Sequence, residues 1–293
     1  MTPTERLDSK LLRDFPLPHV PEDSSKEDRG RLLVIAGSRE LVGAALLAGV
    51  AALRAGAGKL QIGTAEKIAT SLAVAVPEAR VIGHPETDEG CIDEAGIAPL
   101  VNWAKAAQAV SVGCGMQHGP PLQKLLAELL ACRGCFPLVL DAAVLDCLTP
   151  LRRELNDWGG GTILLPHAGE MARLLDRDRA EVEADPLSAA REASERFNAS
   201  TLVKGSCSFI AAPDGRSFVF EGGGVGLATS GSGDVLSGIV GGLCARGAEP
   251  LAALLWGVWL HGEAGRILTR RVGRLGFLAR ALPDLIPGLL PDN

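Results

Sequence analysis

Residues 222–243 read GGGVGLATSGSGDVLSGIVGGL, and the rest of the chain is organised around this stretch. A run of Gly and small residues passes, at 231–234, into an apolar pattern with helical spacing. A Gly-rich turn that opens a helix exposes unpaired N–H groups at the positive end of the helix dipole, which suits phosphate. The acidic residue of this turn, Asp234, is either a helix N-cap or a carboxylate that handles a proton or a metal.

Before this stretch, apolar runs of strand length alternate with helical patterns. The predicted strands are 31–36, 59–63, 79–83, 109–113, 137–141, 162–165 and 201–205. The predicted helices are 43–55, 65–75, 95–107, 120–132, 168–175, 186–197, 233–246, 250–271 and the Pro-broken tail 275–290. This alternation predicts an α/β protein with a parallel sheet covered by helices. The turn PDGR at 213–216 predicts a hairpin between strands at 207–212 and 216–221.

The composition is that of a globular protein, and the charge argues against some classes of ligand. The chain has 293 residues, 47% of them apolar, a net charge of −6 and no basic block, so nucleic acid is not an expected partner. Neither a signal peptide nor a membrane span is predicted, because Arg54 and several Gly interrupt the longest apolar stretch, 41–57. Seven scattered Cys predict free thiols and a cytoplasmic location. We expect one domain over 1–293, with 1–30 as an N-terminal arm that forms a short helix and then follows the surface.

Gly and polar residues follow several predicted strands. Because parallel sheets bind ligands at the carboxyl ends of their strands, we expect these residues to share one edge with the turn at 231–234. They are Gly37, Ser38, the Gly-Cys-Gly of 113–115, Asp141, Pro166, His167, Lys204 and Gly205. The chain contains no P-loop, no Rossmann fingerprint, no H-E-x-x-H and no G-x-S-x-G motif. Its single C-x-x-C, Cys132 and Cys135, favours ordinary thiols over zinc.

Each polar candidate also has a purely structural interpretation. Lys204 could contact phosphate or be a solvated lysine at a strand end. His167 could bind a ligand or cap the following helix, where Glu170 could be an ordinary first-turn carboxylate. We interpret His261, within an apolar helix, as a core histidine. Asp141 could position a metal or a loop.

Taken together, the motifs resemble the ADP- or ATP-dependent NAD(P)H-hydrate dehydratases. The similarity runs from about Arg31 to Arg271 and is carried by GSRELVGAALLAGVAALRAGAGKLQIGT (37–64), PEAR (77–80), VGCGM (112–116), PLVLDAAVLDCL (137–148), LPHAGEMARLL (165–175), LVKGSCSFI (202–210) and GLATSGSGDVLSGIVGGLCARG (226–247). This resemblance implies a ribokinase-like three-layer α/β/α fold with a mostly parallel central sheet and no lid.

Members of this family remove water from the S epimer of hydrated NADH or NADPH at the expense of a nucleotide phosphate. The resemblance therefore implies ADP (or ATP) and Mg²⁺ as cofactors, and Asp234 as the general base. It implies that the hydrated dinucleotide contacts Ala44, Gly115, His167 and Asp234. It implies that the nucleotide site comprises Lys204, Gly205, Ser206, Cys207, Ser208, Gly231, Ser232 and Gly233.

Other features of the sequence fit more than one interpretation. The family often has Thr where this chain has Ser208, and H-K-G where it has Ser-Lys-Glu, which leaves the role of Lys26 undecided. With a first strand at 31, we expect no epimerase domain before it and cooperation with a separate epimerase. Relatives are often tetramers. The same turn would also suit a ribokinase-like small-molecule kinase, such as a hydroxyethylthiazole kinase, or a nucleotide-binding regulator without catalysis.

Overall fold

The strands of this protein lie in a single sheet within residues 3–132 and 136–291, which are the residues described by the computed structural model. They are β1 (Glu5–Arg6), β2 (Arg31–Ile35), β3 (Lys59–Ala65), β4 (Ala79–His84), β5 (Ala109–Val112), β6 (Leu138–Leu140), β7 (Thr162–Leu164), β8 (Ser200–Val203), β9 (Cys207–Ala211) and β10 (Ser217–Glu221). Every strand predicted from the apolar runs is confirmed to within one or two residues.

The strand order is β1-β10-β9-β8-β7-β6-β5-β2-β3-β4. Neighbours from β4 through β8 are parallel, and only β9 runs against its two neighbours. The hairpin predicted at 213–216 joins β9 to β10, with Gly215 at φ +87°. Since the parallel strands all point the same way, their carboxyl ends form one edge, as predicted. No second sheet forms a lid among the described residues.

Helices cover both faces of the sheet. They are α1 (Val42–Arg54), α2 (Glu66–Ala75), α3 (Ile97–Ala104), α4 (Pro120–Ala131), α5 (Arg152–Asn156), α6 (Ala168–Leu175), α7 (Arg179–Ala184), α8 (Pro186–Phe197), α9 (Ser232–Ala245) and α10 (Pro250–Arg271). The residues of β2 alternate between two hydrophobic cores: Leu32 packs with α1, α9 and α10, and Leu33 packs with α3, α4, α6 and α8. Two cores around one sheet make three layers, as expected. No helix in the described ranges is long and apolar enough to cross a membrane.

The structure refines the predictions for the two ends of the chain and agrees with that of free thiols. The tail forms three short 3₁₀ turns, Ala279–Ala281, Pro283–Leu285 and Pro287–Leu289, because each Pro lacks the N–H that a continuous helix needs. The N-terminal arm is more than a surface segment: β1 pairs with β10, and Leu7 and Leu12 are buried. The described cysteines are free thiols. The C-x-x-C prediction includes Cys135, which lies outside the described residues.

Helix α9 packs so closely on α1 that Gly is required between them. A Cβ atom on Gly238 would lie 2.1 Å from the carbonyl oxygen of Ala48. We expect Gly238→Ala to lower the free energy of unfolding by about 1–3 kcal/mol, since backbone must move to relieve the overlap. Urea unfolding monitored by circular dichroism measures this. The matched control is Gly43→Ala in α1, where a Cβ meets nothing within 4 Å; equal unfolding midpoints for the two variants would contradict the prediction.

Candidate active site

The phosphate-type turn predicted at 231–234 forms the start of α9. Gly231 is the N-cap residue and takes the left-handed conformation, φ +88°. The first helical bond runs from the N–H of Val235 to the Gly231 carbonyl, 3.1 Å, and the N–H of Ser232 donates to the Thr229 carbonyl, 3.2 Å. The structure gives the N–H groups of Gly233 and Asp234 no hydrogen-bond partner among the described residues. These two donors, more than that of Ser232, are therefore available to an anion.

Lys204 follows β8 and faces this turn. Its Nζ lies 2.7 Å from Asp141 Oδ1 and 4.0 Å from Glu170 Oε2. A Cβ on Gly233 would lie 3.5 Å from the same Nζ, so the absent side chain keeps space open above the ammonium group. Burial works against the charged form, but the carboxylates of Asp141 and Glu170 outweigh it and raise the pKa of Lys204. Lys204 is thus a charged side chain that Asp141 and Glu170 fix beside the turn, and not a freely solvated lysine.

Asp141 is a site residue whose role sequence reasoning left undecided. Its side chain is 3% exposed and accepts hydrogen bonds from Lys204 and from the N–H of Ala142. Burial, only partly offset by the Lys204 charge, raises the pKa of Asp141 to about 6. The signal in the sequence was an acidic residue ending a buried strand. Its partner lies 63 positions away, and only the order of β6, β7 and β8 in the sheet brings the two together.

Asp234 lies in the first turn of α9, between the turn amides and the end of β5. Its carboxylate is within electrostatic reach of the buried Cys114 thiol and of Lys204. Burial raises the pKa of Asp234 above the ordinary aspartate value, although the nearby Cys114 thiol and the Lys204 charge act in the opposite direction. A raised pKa makes a carboxylate a better proton acceptor once it is ionised.

His167 combines the structural role with a place at the site. It is the N-cap of α6, and its Nδ1 accepts hydrogen bonds from the N–H groups of Gly169 and Glu170 at 3.0 and 3.2 Å. Glu170 completes a capping box by accepting from the His167 N–H at 2.8 Å. The capping interpretation is therefore confirmed. The His167 side chain is still 55% exposed and forms part of the wall of the main cavity, so contact with a ligand stays a prediction.

A cavity of about 640 Å³ opens in front of the turn. Small-molecule sites in proteins commonly occupy about 300–1,000 Å³. Most of the residues predicted to bind nucleotide or substrate line it: His167, Lys204, Gly205, Ser206, Ser208, Ser232 and Gly233. Cys207 and Gly231 do not belong to its wall: side chains alternate along β9, and a Cβ on Gly231 would face Leu47, at 2.5 Å from Cδ1.

The other two predicted substrate residues meet on the β5 side of Asp234. Gly115 has φ +64°, and a Cβ there would lie 2.6 Å from the Cβ of Ala44 in the first turn of α1. The thiol of Cys114, the preceding residue, is within electrostatic reach of Asp234, and the Cys114 carbonyl oxygen accepts a hydrogen bond from the N–H of Gly37 at 2.8 Å. The predicted contacts thus form two groups, one at the cavity and one at Ala44 and Gly115. Asp234 lines neither group: it directly follows Gly233 of the cavity wall and is within electrostatic reach of Cys114, the residue before Gly115.

His261 is the residue that sequence reasoning misassigned. It is only partly buried in α10, lines the cavity, and places its Nε2 2.9 Å from the hydroxyl oxygen of Ser232. Burial lowers the pKa of His261 to about 4, so the imidazole is neutral at neutral pH. Its apolar helix indicated a core residue, whereas contact with a residue 29 positions earlier depends on how α9 and α10 pack.

Proteins of known function resemble this chain over most of its length. The family profile described as NAD(P)H-hydrate dehydratase matches residues 32–288. An ADP-dependent (S)-NAD(P)H-hydrate dehydratase of Xanthomonas campestris is 45% identical over 95% of this chain and 93% of its own. A bifunctional NAD(P)H-hydrate repair enzyme, Nnr, of Moorella thermoacetica is 36% identical, and the match covers 94% of this chain and 52% of that protein.

Solved structures agree with the sequence comparisons. The ADP/ATP-dependent NAD(P)H-hydrate dehydratase of Bacillus subtilis, co-crystallised with ATP and Mg²⁺, superimposes with a TM-score of 0.83 at 29% identity. The superposition covers 98% of this chain and 97% of that one. A profile match over most of the chain and a relative matched nearly end to end are each sufficient to assign the family. The chain belongs to the NAD(P)H-hydrate dehydratase family.

Proposed function

We propose that this protein is an ADP-dependent (S)-NAD(P)H-hydrate dehydratase, an enzyme that returns hydrated NADH or NADPH to NADH or NADPH. The observation that carries the proposal is the position of Asp234. Its carboxylate stands in the first turn of α9, next to the unpaired N–H groups of Gly233 and Asp234, and within electrostatic reach of Lys204 and of Cys114, the residue before Gly115. This position supports a proton acceptor between a phosphate donor at the turn and a hydroxyl group on the side of Ala44 and Gly115.

The reaction has two steps. The ring hydroxyl of the hydrate attacks the terminal phosphorus of ADP, its proton passes to Asp234, and the P–O bond to AMP breaks. Phosphate then leaves the ring carbon as the nicotinamide nitrogen donates its electron pair, and loss of a proton from the adjacent ring carbon to solvent restores the double bond of NAD(P)H. Phosphate is a far better leaving group than hydroxide. The N–H groups of Gly233 and Asp234, with Lys204, stabilise the charge on the phosphoryl group during transfer.

Mg²⁺ would neutralise the nucleotide phosphates in this reaction. The described residues contain no cluster of three metal-ligating side chains. They fit a Mg²⁺ that enters with the nucleotide, since such ions are held by one or two carboxylates plus phosphate oxygens. Glu170, whose carboxylate is 4.0 Å from Lys204 Nζ, would be the carboxylate that holds it.

The activity is tested with purified NADH hydrate and either ADP or ATP. Recovery of the near-ultraviolet absorbance of NADH, with one phosphate released for each NADH formed, is the expected result, and the faster nucleotide identifies the donor. The kinase alternative would give a stable phosphorylated hydrate with no recovery of absorbance. A regulator without catalysis would give neither product. Either outcome overturns the proposal.

The raised pKa of Asp234 predicts an acidic limb in the pH profile. Asp234 accepts a proton only when ionised, so kcat should fall as the pH drops through its pKa. Because burial raises that pKa, the inflection should lie above 3.8, the ordinary value for aspartate. Initial rates measured across the acidic range at saturating ADP test this. A rate independent of pH down to the ordinary aspartate range would contradict the prediction.

Replacement of His167 tests the substrate side of the cavity. We expect His167→Ala to raise the KM for the hydrate roughly 2- to 10-fold, the value of one hydrogen bond, with a smaller effect on kcat. The variant also removes the cap of α6, so His167→Asn is the matched control, since Asn is a good N-cap acceptor. If the imidazole contacts substrate, both variants raise KM. A normal KM in His167→Asn would leave capping as the only role.

The proposal also covers the partner enzyme, the cellular location and the oligomeric state. A separate epimerase supplies the S form from the R form, the enzyme works in the cytoplasm, and the chain assembles as a tetramer. Exposed apolar side chains support assembly, notably Val74, 78% exposed, and Leu275, 69% exposed. Light scattering coupled to size-exclusion chromatography measures the mass, and a monomer at micromolar concentration would remove the tetramer from the proposal.

A further inference from the structure

A second cavity, of about 510 Å³, lies at the opposite edge of the sheet, where β2 and β3 begin. We call it the rear cavity; the residues of its wall used below are Lys26, Arg31, Lys59, Gln61, Arg80 and Trp103. The seven residues of β3 run from this edge to the candidate active site, roughly 20 Å at the usual rise per residue. The rear cavity is therefore separate from the site of the proposed reaction.

Strand register gathers three of the polar side chains around Gln61. Arg31 of β2 pairs with Lys59 of β3, and Gln61, two residues further along β3, pairs with Arg80 of β4. Residues two apart on a strand, and residues directly opposite each other on neighbouring strands, share one face of a sheet. The floor of the rear cavity is thus a continuous polar surface across three adjacent strands, under the C-terminal end of α3.

This surface is strongly cationic although the protein is acidic. Four cationic residues and one carboxylate, Glu78, line the rear cavity, whereas the net charge of the chain is −6. One further carboxylate, Glu27, pairs with Lys59. Even with both acids counted, the surplus is two positive charges. A concentration of positive charge in a concave site attracts anions and raises their local concentration.

Two polar atoms of the floor lack hydrogen-bond partners among the described residues. Gln61 is 7% exposed, and its Oε1 accepts no hydrogen bond. The Nε of Arg31 is also buried without an acceptor, although the Nη1 of the same side chain donates to the Ala106 carbonyl at 3.3 Å. Buried polar atoms are rarely left unpaired, because each costs desolvation energy. A ligand with a donor for Gln61 and an acceptor for Arg31 would satisfy both.

One wall of the rear cavity is aromatic. The guanidinium carbon of Arg80 lies 4.1 Å from the centroid of the Trp103 ring, a cation–π contact. Aromatic rings and arginine planes are the usual surfaces against which nucleobases stack. Cations for a phosphate, an unpaired amide oxygen and a planar wall therefore occur within one concave site.

We propose that the rear cavity is a second binding site that takes a nucleoside monophosphate. The phosphate contacts Arg31 and Lys59, an amino or hydroxyl group donates to Gln61, and the base lies against Trp103 and Arg80. The inference concerns binding alone and does not depend on the proposed dehydratase activity.

AMP titrated into the full-length protein by calorimetry tests the site. Because AMP would also enter the main cavity, the titration is made in the Lys204→Met background, where one site per chain is expected to remain. Adding Arg80→Gln or Lys59→Gln should weaken that site at least about tenfold, the loss of one charge-assisted hydrogen bond. Arg270→Gln, at an exposed position on α10, is the matched control and should have no effect.

A Trp103 variant and a titration with inorganic phosphate complete the test. Trp103→Leu should weaken AMP but leave competition by inorganic phosphate unchanged, because the base and not the phosphate meets the ring. Inorganic phosphate that binds as tightly as AMP would overturn the nucleotide assignment. Absence of AMP binding in Lys204→Met, or binding unaffected by both Arg80→Gln and Lys59→Gln, would overturn the site itself. Lys204→Met is first shown to be folded at the temperature of the titration, and each variant added to it is shown to unfold at the same temperature as Lys204→Met.

Discussion

Asp234→Asn is expected to lower kcat for hydrate dehydration by ~10²–10⁴-fold, the usual contribution of a positioned general base. Asn has nearly the same shape and volume as Asp, so the start of α9 should stay intact. The affinity for ADP should therefore remain close to that of the wild type. Steady-state kinetics with the hydrate, together with calorimetric titration of ADP, separate the two quantities.

The control for this variant is Asp214→Asn. Asp214 lies in the exposed turn between β9 and β10, where it pairs with Arg216 and has no part in the proposed proton transfer. Its loss should leave kcat unchanged. If Asp234→Asn retained the kcat of the wild type, Asp234 would not be the base. If it lost ADP affinity as well as kcat, its main role would be to shape the phosphate turn.

Lys204→Met is expected to weaken ADP binding by about 10- to 100-fold, because a charge-assisted contact to phosphate is lost. The same change should lower the stability of the fold. It leaves the buried Asp141 without its counterion, and breaking a buried pair costs about 3–5 kcal/mol. The ADP KM and the urea unfolding midpoint measure the two effects. Lys10→Met, at an exposed position, is the control and should change neither.

The loss of stability caused by Lys204→Met should depend on pH. Burial already raises the pKa of Asp141 to about 6, and removal of Lys204 raises it further. Asp141 is then neutral in acid, so the destabilisation by Lys204→Met should be smaller below pH 6 than in alkaline buffer. The double variant Lys204→Met/Asp141→Asn should recover stability at alkaline pH without recovering ADP affinity. Recovery of both would show that Lys204 acts only through Asp141.

Much of the fold and part of the candidate site could be predicted because their causes are local. Strands and helices follow from hydrophobic periods and from Gly and Pro at their ends, which act over a few residues. The turn at 231–234 is also local, since the first amides of α9 are unpaired wherever that helix lies. The direction of the strands then places 204–205 and 166–167 at the same edge as this turn.

The remaining features depend on which distant segments meet. Strand β1 forms because β10 offers a free edge to residues 5–6, which carry no strand signal of their own. The contact between Asp141 and Lys204 requires the order of three strands, and that between His261 and Ser232 requires the packing of α10 on α9. The raised pKa of Asp234 results from burial, which no local pattern measures.

The sequence by itself therefore determined the α/β/α architecture, the phosphate-type turn and the edge of the sheet that carries the candidate active site. Only the tertiary structure decided the charge state of Lys204, the neutral form of His261, the pairing of Asp141 and the cationic rear cavity. The physical reason is the separation along the chain of the residues that determine each property. Backbone conformation depends mainly on residues that are close in sequence. Burial, ion pairing and cavity shape arise from residues tens of positions apart that folding brings within a few ångströms.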